Sequence, residues 1–205
     1  IEKILEKKNI PFKYFKGNIL NEYQSITKND GTPFKVFSPF WRNAEQVFLD
    51  AVPQKTSEIK KLKSKKTIFN SKDTFKQIMP KKDWFKKFDQ YWKPSEDEAH
   101  KNLKEFISNR ISKYGVDRDY PSINGSSKLS PYIRNGQIHV AAIYEKSSKD
   151  IKKNISIRKY INELGWREFS HSLINYFPQM LKGNLRKEFD RFPWEKNSKN
   201  LKAWK

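Results

Sequence analysis

The sequence predicts a small α/β remnant followed by a mainly α-helical domain, incomplete at both ends. Three observations lead there. A helix-to-strand step opens the chain without enough further strands to close a sheet, a capped helix start stands at Ser95, and beyond Trp92 the apolar spacing is helical throughout.

Residues 1–8 have the pattern of the end of an amphipathic helix, with Ile1, Ile4 and Leu5 on one side. The run Phe12-Lys13-Tyr14-Phe15 before Gly17 predicts a short strand. Asn29-Asp30-Gly31-Thr32-Pro33 is dense in turn formers. After it, the apolar series from Phe34 through Phe40, Trp41, Ala44, Val47 and Phe48 predicts a helix. One helix, one strand and another helix cannot bury both faces of a sheet, so residues 1–50 are expected to be the end of a larger α/β unit. The first residue is Ile, and the true start is expected upstream.

Residues 51–93 are dominated by lysine, with pairs at Lys60-Lys61, Lys65-Lys66, Lys81-Lys82 and Lys86-Lys87 between isolated aromatics. Solvated charge of this kind suits an exposed inter-domain connection; a basic arm that contacts nucleic acid is the alternative. At Ser95-Glu96-Asp97-Glu98 the hydroxyl can cap a helix while Glu98 reaches back to the cap. Ala99, Leu103, Phe106, Ile107, Ile111 and Tyr114 then follow at helical spacing, and Gly115 is expected to close that helix. Gly125 and Gly136 punctuate the next stretch. A second long apolar pattern runs through Ile157, Ile161, Leu164, Phe169, Leu173 and Phe177.

Composition narrows the function classes. The 205 residues carry 43 Lys+Arg against 23 Asp+Glu, a formal charge of +20, which suits a polyanionic partner. With lysine supplying 35 of the 43 and arginine eight, AT-rich coding accounts for the same excess. There is no cysteine, hence no disulfide, thiolate metal site or cysteine nucleophile, and a cytoplasmic protein is expected. No apolar run approaches the roughly 20 residues that cross a bilayer. His100, His139 and His171 are scattered, so no metal site is expected, and the nucleophile elbow and phosphate-binding loop of familiar enzymes are absent.

Two segments carry candidate chemistry. Gly125-Ser126-Ser127-Lys128-Leu129-Ser130 sets a turn, hydroxyls and a cation before an apolar helical segment. Free backbone N–H groups there could hold a pyrophosphate, although a serine-rich helix cap has the same composition. In Glu163-Leu164-Gly165-Trp166-Arg167-Glu168-Phe169-Ser170, about 100° per residue puts Glu163, Trp166, Arg167 and Ser170 on one face. A flat indole among hydrogen-bonding groups can meet a nucleobase; equally, it can seal the edge of a core.

Taken in order, several motifs resemble the photolyase/cryptochrome family. They are Gly31-Thr32-Pro33-Phe34-Lys35-Val36-Phe37-Ser38-Pro39-Phe40-Trp41, Arg118-Asp119-Tyr120-Pro121, the Gly125-to-Ser130 turn with Pro131-Tyr132-Ile133-Arg134, and the Glu163-to-Ser170 segment. Phe192-Pro193-Trp194 and Leu201-Lys202-Ala203-Trp204 continue the series. The Glu-Leu-Gly-Trp-Arg-Glu-Phe-Ser wording is most similar to bacterial class I cyclobutane pyrimidine dimer photolyases.

That resemblance implies a division into residues 1–50, the end of an antenna-binding α/β domain, residues 51–93, a linker, and residues 94–205, the first half of a helical FAD-binding domain. It implies that Tyr114, Ser126, Ser127, Lys128, Leu129, Ser130, Tyr160 and Arg167 bind FAD. Glu163 and Trp166 would bind the dimer, Arg118 would contact DNA, and Trp194 would be the outer member of an electron-transfer chain. The implied activity is light-driven dimer repair, a deoxyribodipyrimidine photo-lyase reaction, by a bacterial monomer acting on DNA. A folate or deazaflavin antenna would serve the whole protein, of which this stretch alone is expected to be inactive. A cryptochrome-like blue-light sensor and a basic nucleic-acid-binding module without cofactor are the alternatives. Where the family reads Thr-Ser-Arg-Leu-Ser, Ser126 and Lys128 depart; Lys128 keeps the charge without arginine's planar fork.

Overall fold

In a computed structural model, residues 2–12, 17, 19–48, 79, 80 and 82–205 are described. Among them the regular structure is entirely helical: α1 (Glu2–Lys7), α2 (Phe37–Phe48), α3 (Glu96–Asn109), α4 (Tyr114–Asp117), α5 (Ser130–Arg134), α6 (Val140–Ser147), α7 (Ile155–Tyr176) and α8 (Ser198–Trp204). The strand expected at residues 12–15 falls largely outside the described residues, with Phe12 in coil. The same holds for most of the lysine-rich segment, including Lys60, Lys61, Lys65, Lys66 and Lys81. Its described end forms a 3-10 helix over Asp83–Gln90 that exposes Trp84 and Phe88.

The chain divides into two compact units, each assembled from two stretches: residues 1–20 with 51–161, and residues 21–50 with 162–205. The core of the first unit follows from the spacing on α3, where Ala99, Leu103 and Phe106 lose all solvent contact. Ser95 caps this helix as its sequence predicts, accepting from Glu98 N–H at 3.1 Å. The reciprocal half of the capping box is not made. Ser95 N–H goes to the Lys93 carbonyl instead, and Glu98 lies 3.7 Å from Lys101.

Gly115 does not close α3, which ends at Asn109. A 3-10 turn, Ile111–Lys113, leads into α4, and Gly115 is buried inside that short helix. A Cβ there would come within 2.9 Å of both Lys159 and Ser156, so glycine is what lets α4 lie against the start of α7. Asn154 fixes that start. Its side chain accepts from Ser156 N–H at 2.7 Å and donates to the Ser112 carbonyl at 3.3 Å. His139 likewise has a structural task, capping α6 through Ala141 N–H at 3.1 Å while its Nε2 lies 2.6 Å from the Gly17 carbonyl.

In the second unit α2 presents the stripe Phe40, Trp41, Ala44 and Phe48, all buried, to residues of α7 beyond Ile161. The turn formers ahead of it behave as composition predicts. Gly31 takes φ +75°, and Asp30 accepts from the Thr32 hydroxyl at 2.6 Å and its N–H at 2.9 Å. Those bonds, the hydroxyl's first, hold the Asp30 carboxyl below its ordinary pKa.

Candidate functional site

Each unit carries part of the expected site. In the first, Phe106, Tyr114 and Tyr160 form a buried aromatic trio. The Tyr160 ring is 4.7 Å from Phe106 and 5.1 Å from Tyr114, the latter edge-on. Its hydroxyl is hydrogen-bonded to the Ser127 side chain, which ties the hydroxyl-rich turn to α7. Burial pushes the Tyr160 hydroxyl up to about 12, against the opposing effect of the Ser127 bond, so the group remains a neutral phenol at physiological pH.

The turn itself alternates between anchoring and exposure. Gly125 and Leu129 are buried; Ser126, Lys128 and Ser130 are exposed, with Ser127 between. Gly125 approaches the Asp117 backbone so closely that a Cβ would sit 2.6 Å from its carbonyl carbon. Lys128 adopts φ +54°, a left-handed conformation uncommon for a residue with a side chain. From the far side the Arg110 guanidinium lies 3.4 Å from the Asn124 carbonyl and 3.3 Å from that of Ser126. With those carbonyls engaged by Arg110, a donor set of hydroxyls and one ammonium remains on the exposed side, chemistry that fits the phosphates of a dinucleotide. Sequence reasoning missed Arg110, because nothing local to residue 110 shows that it meets residues fourteen and sixteen positions on.

Beside this turn a cavity of about 330 Å³ is lined by Arg118, Ser126 and Lys128, together with Asp117, Tyr120 and Asn124. Three of the expected residues therefore share one wall. Arg118 is held in place: its guanidinium donates to the Tyr114 hydroxyl at 3.3 Å and lies 5.3 Å over that ring. Asp119 is 3.7 Å from its Nε.

The second unit presents Glu163, Trp166 and Arg167 on α7. Leu164 and Phe169 are buried, Glu163 is half-buried, and Trp166 stays 46% exposed, which leaves much of its indole open to a ligand. The indole also packs, one face lying parallel to Phe37 at 3.8 Å with 9° between the planes. Trp166 is thus both exposed and packed. Arg167 donates to Glu168 at 2.9 Å; Glu168 is buried, and Arg167 is half-buried. Nearby, burial first and Arg167 second hold the His171 imidazole below its ordinary pKa. Trp194 is 70% exposed with its ring 4.6 Å from Phe192. Among the described residues no cluster of side chains is suited to a metal ion, and no helix is long and apolar enough to cross a membrane.

Helices bearing a hydroxyl-lined turn and a carboxylate–indole face are common to many classes of protein, and comparison with known proteins is more specific. Residues 1–60 match the family model described as DNA photolyase, and residues 160–205 that of the FAD binding domain of DNA photolyase. The chain is 31% identical over 196 residues to a deoxyribodipyrimidine photo-lyase of Agrobacterium fabrum, covering 93% of this chain and 40% of that protein. It is 29% identical over 217 residues to the enzyme of that name from Alkalihalophilus pseudofirmus, covering 100% of this chain and 42% of the relative. A solved bacterial class III photolyase from Agrobacterium tumefaciens shares 29% identity and superposes with a TM-score of 0.77, over 99% of this chain and 42% of that one.

The chain belongs to the DNA photolyase family, and it has the photolyase-like fold. It spans about two fifths of the length of these relatives. The sequence wording resembles class I enzymes whereas the solved neighbour is described as class III, so what the two share is the family.

Proposed function

We propose that the protein is a deoxyribodipyrimidine photo-lyase that splits cyclobutane pyrimidine dimers in DNA, using light and bound, reduced FAD. The observation that carries this reading is the α7 face in the second unit. An indole that is 46% exposed projects beside the half-buried Glu163, while Leu164 and Phe169 on the same helix are buried. A surface of this kind suits a base taken out of the duplex: the carboxylate accepts from pyrimidine N–H, and the indole gives a flat apolar contact. Ser126, Ser127, Lys128 and Ser130 hold the phosphates of FAD, with Leu129 as the turn's buried anchor; Tyr114 and Tyr160, and separately Arg167, are assigned to FAD as well. Arg118 steadies the DNA. When bound, FAD supplies light-driven donation of one electron to the dimer and its recovery after the ring opens. Trp194, exposed and tilted against Phe192, is suited to pass electrons inward from solvent.

In this reading residues 1–50 end an α/β antenna domain, 51–93 link the domains and 94–205 begin the FAD-binding domain. The antenna, a folate or deazaflavin, belongs with the first of these, which the match over residues 1–60 supports. The protein acts as a monomer in the bacterial cytoplasm. The decisive experiment is repair of an oligonucleotide carrying one thymine dimer under blue light, comparing wild type with Glu163→Ala. The variant should retain the flavin absorption band and repair at least about tenfold more slowly, the loss expected when a charge-assisted hydrogen bond is removed. Equal repair by both proteins removes the substrate assignment; flavin photoreduction without any repair identifies a sensor instead.

A further inference from the structure

The Trp166 indole is not a free surface side chain. Phe37, the first residue of α2, covers one of its faces at 3.8 Å and 9°, and Phe169 braces both rings edge-on, at 6.0 Å from Phe37 and 5.9 Å from Trp166. Phe37 itself is only half-buried and precedes the fully buried stripe that begins at Phe40, so filling the core does not account for its position. A parallel ring on one face does fix the plane of the indole and direct its other face outward. The close approach behind the pair is set by Gly165, whose position against Trp41 admits no side chain.

We propose that Phe37 is a positioning residue for lesion recognition: it holds Trp166 in the orientation that receives a cyclobutane pyrimidine dimer. This rests on the dimer-binding role proposed for Trp166. A dimer has lost the C5=C6 double bonds of both pyrimidines, so its rings are puckered and joined rigidly at an angle. A flat surface meets such a solid well only in one orientation. An indole held by Phe37 gives up that rotational freedom on folding, whereas an unsupported one gives it up on binding, at the expense of affinity.

The test is binding in the dark, where no repair competes. The probe is a fluorescein-labelled single-stranded oligonucleotide with one thymine dimer, measured by anisotropy beside its undamaged counterpart, with the full-length FAD-loaded protein. Phe37→Met keeps an apolar side chain of similar size without the ring. It should weaken binding of the damaged strand by about three- to tenfold, the worth of one aromatic pair. Binding of the undamaged strand should stay within about twofold, and the double variant with Trp166→Met should bind the damaged strand no more weakly than Trp166→Met alone. Phe37→Tyr, which retains the stack, should restore discrimination.

Full discrimination by Phe37→Met, with loss of it in Trp166→Met, overturns the positioning role and leaves the site standing. Full discrimination by Trp166→Met removes the site reading itself. Should Phe37→Met fail to fold, the wild-type protein answers. Ring-current-shifted Phe37 signals in selectively labelled protein should move on adding the damaged strand and not the undamaged one, and immobile signals overturn the proposal.

Discussion

Gly165→Ala should destabilise the second unit, although alanine is the better helix former. The position lies well inside α7, where exchanging glycine for alanine on an open surface stabilises by about 0.5–1 kcal/mol. Here a Cβ would stand 2.5, 2.8 and 2.8 Å from three atoms of the fused indole of Trp41, against 3.4–4 Å for ordinary contact. The overlap is with a buried ring rather than the end of a flexible chain, so helix or indole must move by about 1 Å, in the range where overpacking costs ~1–3 kcal/mol. Set against the helical gain, the net expectation is a loss of about 1–2 kcal/mol. Urea unfolding followed by near-ultraviolet circular dichroism reads this as a lower midpoint with an unchanged slope. Trp41→Phe in the same molecule should recover at least about 0.5 kcal/mol relative to the sum of the two single changes, because the smaller ring frees the volume in dispute. As a control, Gly183→Ala should be close to neutral, since its Cβ would meet nothing nearer than 3.8 Å. A Gly165→Ala protein as stable as wild type, with the same near-ultraviolet spectrum, would refute the close-packing argument and with it the setting of Phe37.

Two further outcomes follow from the titrating groups. Because burial raises Tyr160 from 10.0 to about 12, its stabilising contribution is complete below pH 10 and is lost as the pH rises toward 12. Tyr160→Phe should leave the tyrosinate absorbance of the native protein at pH 11 essentially unchanged, and a clear drop would show that Tyr160 ionises earlier than its burial dictates. For His171 the folded-state pKa is depressed, so the unfolded chain takes up a proton first as pH falls. Its contribution is complete above 6.5 and declines below that value; His171→Gln should flatten the change in urea midpoint between pH 7.5 and 5.5, and an identical slope in both proteins would exclude the histidine as its source.

The helices were legible wherever one face repeats. Ala99, Leu103 and Phe106 on α3 announce a buried stripe, and Ser95 announces where it starts. What spacing could not convey is contact between residues distant in sequence. Gly115 was expected to end a helix because a glycine after an apolar repeat usually does, yet its neighbours are Ser156 and Lys159, some forty residues on. Arg110 is another case, with a charged side chain at a helix end whose partners are carbonyls of the turn it supports. The candidate site residues were chosen for a different reason. Their order matched a family, while their local physics left a serine-rich cap and a core-edge tryptophan as live alternatives. Spacing also could not convey their burial, with Leu129 at 1% exposure and Trp166 at 46%.

The eight residues from Glu163 to Ser170 show how one helical motif can serve two physical ends. Leu164, Gly165, Glu168 and Phe169 are buried: one leucine, one glycine against Trp41, one carboxylate paired with Arg167 and one ring braced against Phe37 and Phe40. Trp166 and Ser170 are exposed, and Ser170 turns its hydroxyl back onto the Trp166 carbonyl at 2.8 Å. A substitution in the first group acts through the position of the helix, whereas one in the second acts on whatever the helix meets. An apolar stripe tolerates exchange among residues of similar volume, but a glycine under an indole, a part-buried ion pair and a stacked tryptophan each admit fewer alternatives. Separate constraints thus crowd onto neighbouring positions of α7, which the composition of the whole chain, dominated by lysine, does not reveal.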